Sequence, residues 1–282
     1  MQPTRHKFDF HCHSTSSDGT LSPEEMLELA IAQGLEYWSL TDHDTIDGYR
    51  RLLSHPKMTE LSVIPGVELT CDWSKQTLHV LAFGFSDTDV AFNAFLDKQI
   101  ARRKERAFKI ADKIERHFKQ SDIYAAACIV AQSDSPARPH FAAVMEARGI
   151  VDSTAEAFSK YLGAGKWGDV KLFWPDMEEL MAAVQAANAI AVIAHPFHYK
   201  MTATKMRRLM DDFQFLGGQG MEVGVPNVNS GQHGWLIDEM RKRKMIQSGG
   251  SDFHGASTPW ARLGSFPKLS NDLPIILGLD AA

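Results

Sequence analysis

The sequence predicts an α/β fold: a parallel sheet of roughly seven strands closed into a barrel, complete or distorted, and carrying an inserted helical block. Three observations support this. Strand-like and helix-like segments alternate at the start of the chain and again after residue 170. The strand-like runs end in polar, metal-capable side chains, and the stretch between the two halves follows helical spacing throughout.

Residues 8–13 alternate as a strand does and meet the turn-like Ser16-Ser17-Asp18-Gly19. Ser22 then caps a helix, with Pro23 at its first position, Glu25 closing a capping box and Gly34 ending it. A second strand over 37–41 leads into Asp42-His43-Asp44 and a short helix near 48–53. Residues 61–64 and 67–70 read as one strand broken by Pro65-Gly66, and 77–83 as another. From 92 to 118, Ile100, Ala107, Ile110, Ala111, Ile114 and Phe118 fall near one helical face, and shorter helical patches follow at 123–130, 141–146 and 155–161. The βα rhythm resumes at Pro175-Asp176, with Glu179 placed to complete a capping box, and continues through strands at 189–194, 221–225 and 245–247. The expected division is a first barrel part over 1–91, a helical insertion domain over 92–170 and a second barrel part over 171–282.

A net charge of −5 argues against a protein that coats nucleic acid, so no extended nucleic-acid surface is expected. The chain opens without a leader-like stretch and has no apolar run of bilayer-spanning length, so a cytoplasmic protein without a membrane partner is expected. Cys12, Cys71 and Cys128 show no CxxC spacing, which argues against both a disulfide framework and a thiolate zinc site.

The chemistry lies in the histidines. His11 and His13, then His43, Glu68 and His79 follow one another at candidate strand ends in the first half, and His195, Asp252 and His254 do so in the second. In a parallel barrel the C-terminal ends of all strands share one face, where they would converge. Each has a plainer explanation alone: a polar stripe for His11-x-His13, a helix cap for His43, a solvated carboxylate for Glu68, a satisfied core histidine for His79 or His195. Their common placement favours a site.

The ordered set Asp9-Phe10-His11-Cys12-His13-Ser14, Asp18-Gly19, Leu40-Thr41-Asp42-His43-Asp44, Gly66-Val67-Glu68, His79, Ala194-His195-Pro196 and Gly250-Ser251-Asp252-Phe253-His254 resembles the polymerase-and-histidinol-phosphatase (PHP) family of metal-dependent phosphoesterases. The resemblance spans most of the chain and implies a distorted seven-stranded PHP barrel. It also implies three metal positions: His11, His13, Glu68 and Asp252 at one, Glu68 with His79 and His195 at a second, and Asp18, His43 and His254 at a third, Glu68 bridging. Six imidazoles and three carboxylates suit manganese, iron or zinc better than magnesium; manganese is expected, with zinc or iron as its alternatives. Two to three such ions would outweigh Asp18, Glu68 and Asp252 and leave a cationic pocket suited to phosphate. No protein nucleophile is then required, since hydroxide generated at the metals is the expected attacking group.

Within the insertion, Ala137-Arg138-Pro139-His140-Phe141-Ala142 resembles the Arg-x-His-Phe-Ala element of the PHP subgroup of 3′,5′-nucleoside bisphosphate phosphatases and 5′-to-3′ exoribonucleases of the RNase AM type. The resemblance implies a small nucleotide or short RNA as partner, with Arg138 gripping a phosphate and His140 adding a donor. The plainer alternative is a helix start with a surface arginine beside it. Arg102, Arg103, Lys104 and Arg106 read as a solvated helix face. This chain departs from the subgroup at His198-Tyr199, where relatives carry Arg-Tyr, so His198 is a candidate substrate contact; Val223-Gly224-Val225-Pro226-Asn227 departs as well. Gly163-Ala164-Gly165-Lys166-Trp167-Gly168 matches GxGxxG but follows no strand, so it reads as a loop. The expected reaction is removal of the 3′-phosphate from a nucleoside 3′,5′-bisphosphate, with trimming of short RNA from its 5′ end. The rivals are another PHP activity, such as histidinol-phosphate phosphatase or a phosphodiesterase, and a non-catalytic PHP module. The oligomeric state is not legible in the sequence.

Overall fold

The computed structural model describes residues 3–170, 174–225, 229–255 and 262–276. After β1 (Thr4–Arg5) and β2 (Phe8–Asp9) comes α1 (Pro23–Ala32), whose start is set by the predicted box: Glu25 N donates to Ser22 Oγ at 3.2 Å and Ser22 N to Glu25 Oε2 at 2.7 Å. Gly34, at φ +73°, turns the chain out of the helix while Leu35 N closes onto Ala30 O. Next come β3 (Tyr37–Trp38), α2 (Asp47–Leu52), β4 (Ser62–Val63), β5 (Gly66–Trp73) and β6 (Gln76–Phe83). The chain then turns helical: α3 (Val90–Phe118), α4 (Ile123–Ala131), α5 (Arg138–Ala147), α6 (Thr154–Ala157) and a π-helical turn over Phe158–Leu162. The remainder is α7 (Met177–Ala186), β7 (Ile190–Ile193), a 3-10 turn at Pro196–Tyr199, α8 (Ala203–Phe215), β8 (Gly220–Gly224), α9 (Ser230–Arg243), β9 (Ile246–Gly249) and β10 (Ser265–Phe266).

The strands form three ladders: β1 with β10, the parallel trio β2-β3-β4, and the five-stranded order β5-β6-β7-β8-β9. Among the described residues they do not merge into one continuous closed sheet. Isolated parallel bridges at Cys12–Phe253 and His43–Glu68 lie between the trio and the larger sheet. The predicted all-parallel arrangement needs correction, because β6 runs antiparallel to both β5 and β7. The cause is the connection: Ser74 and Lys75, at φ 47° and 62°, form a two-residue hairpin turn, far too short for a parallel crossover. Ser-Lys lacks the Asn-Gly signature that announces such a turn. Glu68 is therefore the third residue of β5 and His79 lies inside an antiparallel strand, so neither sits at a C-terminal strand end.

Helix α3 joins two cores. Its first turns place Phe92, Phe95 and Leu96 in one core cluster with Phe83 and Val192 of the main sheet and Leu209 of α8. Its later turns place Ala107, Ile110, Ala111 and Ile114 in a separate cluster with Ile123, Ala127, Phe141 and Met145 from α4 and α5. The helix thus starts before residue 92 and anchors the helical segment to the sheet by burying apolar side chains at both ends, each buried methylene contributing about 0.8 kcal/mol. No described helix is long and apolar enough to cross a membrane.

Candidate metal centre and cleft

Buried carboxylates hold the loops of the site in place. Asp9, fully buried, accepts from the backbone N–H groups of His11, Ser251 and Gly264 at 3.1, 3.0 and 2.7 Å, tying the His11–His13 segment to the Ser251–His254 segment. Burial pushes its carboxyl up to about 6 against the pull of those donors. Asp42 does the same for the loop before Asp18, accepting from Ser14 N, Ser14 Oγ and Ser17 Oγ, each at 2.7 Å. Two glycines permit the close approach: a Cβ on Gly19 would lie 2.3 Å from His13 O, and one on Gly250 2.4 Å from His11 Cβ.

All nine predicted ligands come together on this frame. Glu68 is central, with Oε1 2.9 Å from both His79 Nδ1 and His195 Nε2, and Oε2 2.9 Å from His43 Nδ1 and 3.3 Å from His13 Nε2. Asp252 Oδ1 lies 3.4 Å from His11 Nε2 and from His13 Nε2. Asp18 Oδ1 lies 3.4 Å from His254 Nε2 and 3.8 Å from His43 Nε2. Four-, three- and three-membered sets with ligand atoms within 4.8 Å of one another include His13-Asp18-His43-His254, His11-His13-Asp252 and His43-Glu68-His79. His11-Glu68-His195 and His195-His198-Asp252 form two more, so His11, His13, His43, Glu68, His195 and Asp252 each belong to two sets.

Orphaned atoms test whether cations fit. His11 Nε2, His13 Nε2, Asp18 Oδ1, His43 Nδ1, Glu68 Oε2 and His195 Nδ1 are buried without a hydrogen bond. A buried polar atom left so costs about 1–3 kcal/mol, and six in one cluster point to a charge that would satisfy them together. Divalent ions fit these donors, which are of the types that hold transition metals.

The electrostatics agree. Burial raises the carboxyls of Glu68, Asp18 and Asp252, yet surrounding imidazoles outweigh it: His43, His79 and His11 hold Glu68, and His43 and His254 hold Asp18, well below the usual carboxylate range. Asp252 is also held well below that range, chiefly by His11. Burial lowers the His43 imidazole to about 4, against Glu68 and Asp18. Burial also opposes the charging of His254, but Asp18 and Asp252 carry it up to about 10.

The cluster opens into a cleft of about 510 Å³ that is also lined by Arg103, Arg106 and Arg138 from the helical segment. The predicted basic helix face therefore divides. Arg102 and Lys104 pair outward with Glu179 and Asp134, whereas Arg103 turns inward onto buried Asp44 at 2.6 Å and Arg106 approaches Asp169 at 3.9 Å. Burial first, then the neighbouring Arg138 and Arg103, bring the Arg106 guanidinium down to about 9. Arg103 and Arg106 also lie 5.3 and 6.0 Å from the ring centre of Trp174. The helical periodicity of 92–118 gave no means of separating the inward arginines from the outward ones.

Of the predicted substrate contacts, Arg138 opens α5 and lines the cleft, its Nη1 donating to Leu162 O at 3.4 Å. His140 lies two residues on; its Nδ1 accepts from Ala137 N at 3.0 Å, so the ring caps its own helix. His198 is exposed on the cleft wall, its ring stacked on that of His195 at 4.8 Å. The glycine-rich loop follows the π-helical turn, as its lack of a preceding strand required. Pro226 and Asn227 lie outside the described residues. Sequence reasoning missed Glu222, a fully buried carboxylate against His11, and Tyr199, whose hydroxyl accepts from His79 N at 2.9 Å and donates to Ala194 O at 3.0 Å. Glu222 had a signal: it is the one charge inside the otherwise apolar Gly220–Gly224 run.

Comparison with known proteins accords with this geometry. The PHP domain family model matches residues 9–162. A 5′-3′ exoribonuclease of Haemophilus influenzae is 37% identical over 258 residues, covering 92% of this chain and 93% of that one. A 3′,5′-nucleoside bisphosphate phosphatase of Chromobacterium violaceum is 32% identical over 275 residues, covering 95% and 93%. Among solved structures, an amidohydrolase from Chromobacterium violaceum with bound sulfate and no metal superposes with a TM-score of 0.87 at 29% identity, covering 98% of each chain. With the ligand-bearing segments, the orphaned donors and these relatives in agreement, the chain belongs to the PHP family and is a metal-dependent phosphoester hydrolase.

Proposed function

We propose that the protein removes the 3′-phosphate from nucleoside 3′,5′-bisphosphates and, by the same hydrolysis, trims short RNA from its 5′ end. The observation that carries this reading is one cleft lined by both the histidine–carboxylate cluster and Arg103, Arg106 and Arg138. A substrate with two phosphates matches two cationic zones, one for the phosphate that reacts and one for the phosphate that anchors. One relative named above is a 3′,5′-nucleoside bisphosphate phosphatase and another a 5′-3′ exoribonuclease, which supports the choice over histidinol phosphate.

In this reading His11, His13, Glu68 and Asp252 hold one ion, Glu68, His79 and His195 a second, and Asp18, His43 and His254 a third, with manganese favoured. Such ions supply Lewis-acid stabilisation of phosphoryl oxygens and an acidified water. The chain's own residues do the rest. Arg138 holds the anchoring 5′-phosphate, and Arg106, lining the same cleft with Asp169 at 3.9 Å, adds positive charge beside it. His198 at the rim contacts the nucleotide, His140 fixes the first turn that presents Arg138, and Asp9 and Asp42 keep the ligand loops in register. The helical segment 92–170 is then a substrate-reading insertion in a distorted seven-stranded barrel. The bridges at Cys12–Phe253 and His43–Glu68 support that closure, with β4 and β5 counted as one strand broken at Pro65.

The test is a panel assayed with manganese: a nucleoside 3′,5′-bisphosphate, its 3′- and 5′-monophosphates, a 5′-phosphorylated short RNA and histidinol phosphate. The bisphosphate should have the highest kcat/KM, with 3′-phosphate released. Preference for histidinol phosphate would overturn the reading.

A further inference from the structure

We infer that Glu222 is a positioning residue for the metal centre: one carboxylate selects the ring nitrogen that His11 offers and holds the backbone from which His195 projects. The side chain lies in mid-β8 with no solvent exposure. Its two oxygens stand 3.0 and 3.1 Å from His11 Nδ1, and Oε2 also accepts from His195 N at 2.8 Å. The inference rests on the ligand assignment proposed above.

Both contacts have consequences for a cation. An imidazole that donates Nδ1–H to a carboxylate keeps its lone pair on Nε2 and becomes a more basic ligand. Here His11 Nε2 faces Glu68 and Asp252 at 3.4 Å each and has no hydrogen bond of its own, so Glu222 leaves the lone pair on the nitrogen aimed into the centre. At His195 the effect is on the main chain. This residue sits at φ 28°, ψ 59°, in the left-handed region and immediately before Pro196, a conformation that persists only where its surroundings impose it. The bond from its N–H to Glu222 is one such constraint, and it fixes the Cα from which the ring reaches Glu68 at 2.9 Å. Two ligands from distant parts of the chain, His11 and His195, are thereby set by a single group from a third strand.

The experiment compares wild type, Glu222→Gln and Glu222→Leu as full-length proteins. Manganese binding is titrated by the EPR signal of the free ion, and the His11 tautomer is read from side-chain ¹⁵N shifts of the zinc-loaded protein, assigned with His11→Gln. In wild type, His11 should be Nδ1-protonated. Loss of an outer hydrogen-bond partner of a ligating histidine weakens metal binding by about 10- to 100-fold. Glu222→Leu should show that loss for at least one ion, together with a displaced or averaged His11 signal. Glu222→Gln retains an acceptor without the charge and should fall between. If both variants lose thermal stability but keep wild-type manganese affinity and the wild-type tautomer, Glu222 is only a packing element and the inference is overturned. Should Glu222→Leu fail to fold, Glu222→Gln decides alone on the same two readouts. Absence of bound metal in wild type would instead overturn the ligand assignment itself.

Discussion

Replacing Arg138 with alanine separates substrate reading from metal chemistry. The guanidinium lines the cleft beside Arg106, and its bond to Leu162 O, at 3.4 Å, is at the long end of the hydrogen-bond range. Little folding energy is therefore tied to it. Its positive charge, after burial, is the first of the neighbouring charges that lower the Arg106 guanidinium toward 9, so removal relieves a repulsion in the free protein. The unfolding midpoint should change by no more than about 2 °C downward, or should rise, as expected for a change worth about 0.5 kcal/mol or less. With a bisphosphate bound the balance reverses. A charge-assisted contact to a phosphate is worth about 1.5–3 kcal/mol, roughly ten- to a hundredfold in kcat/KM. The assay compares wild type and Arg138→Ala on a 3′,5′-bisphosphate and on the matched 3′-monophosphate, with metal content measured in both proteins. Loss confined to the bisphosphate is expected. Equal losses on the two substrates would refute selective grip of the 5′-phosphate, and no loss on either would make Arg138 a bystander.

Other perturbations address the centre and its frame. Asp252→Asn removes an anionic ligand at nearly constant shape and should lower kcat by about a hundredfold or more while the circular dichroism spectrum is retained; wild-type turnover would remove Asp252 from the centre. Metal uptake should release protons near pH 7.5, because Asp18 and Asp252, against burial, keep His254 charged up to about 10 in the metal-free protein. The sign follows: apparent metal affinity rises with pH toward 10 as that proton becomes easier to expel, and calorimetry in two buffers of different ionisation enthalpy measures the release. The His254–Asp18 pair also stabilises the metal-free fold below the ordinary histidine range, and that contribution is lost as pH rises through about 10. Gly250→Ala places a Cβ 2.4 Å from that of His11 and should cost about 1–3 kcal/mol, seen as a lowered unfolding midpoint together with weaker metal binding.

Residue patterns that act locally were legible in the sequence. The Ser22 box and Gly34 set the limits of α1, Pro65-Gly66 separates β4 from β5, and the spacing of residues 92–118 marks α3. The ligand types and their order were legible too, because metal chemistry admits few side chains. What depends on tertiary context was not. The Ser74-Lys75 hairpin adopts positive φ without glycine, so the reversal of β6 left no mark in the sequence. At Asp176 half the predicted box forms: Glu179 N donates to Asp176 Oδ1, but the Glu179 carboxylate turns to Arg102. Arg103 and Arg106 look like solvated helix residues until Asp44, Asp169 and Trp174 are seen around them. Helix α8 had a local signal that went unassigned, Met206, Leu209, Met210 and Phe213 standing at i, i+3, i+4 and i+7, whereas the apolar stripe of α9, with buried Leu236 and Met240, is weaker.

The central claim is that nine side chains sharing Glu68 form a multinuclear centre. Anomalous diffraction from manganese-reconstituted protein, paired with elemental analysis of the same preparation, tests it most directly. Two to three ions per chain should appear, one bounded by His11, His13 and Asp252, one by His79 and His195, and one by Asp18, His43 and His254, with Glu68 touching more than one. A single ion, or ions bound away from Glu68, would contradict the account.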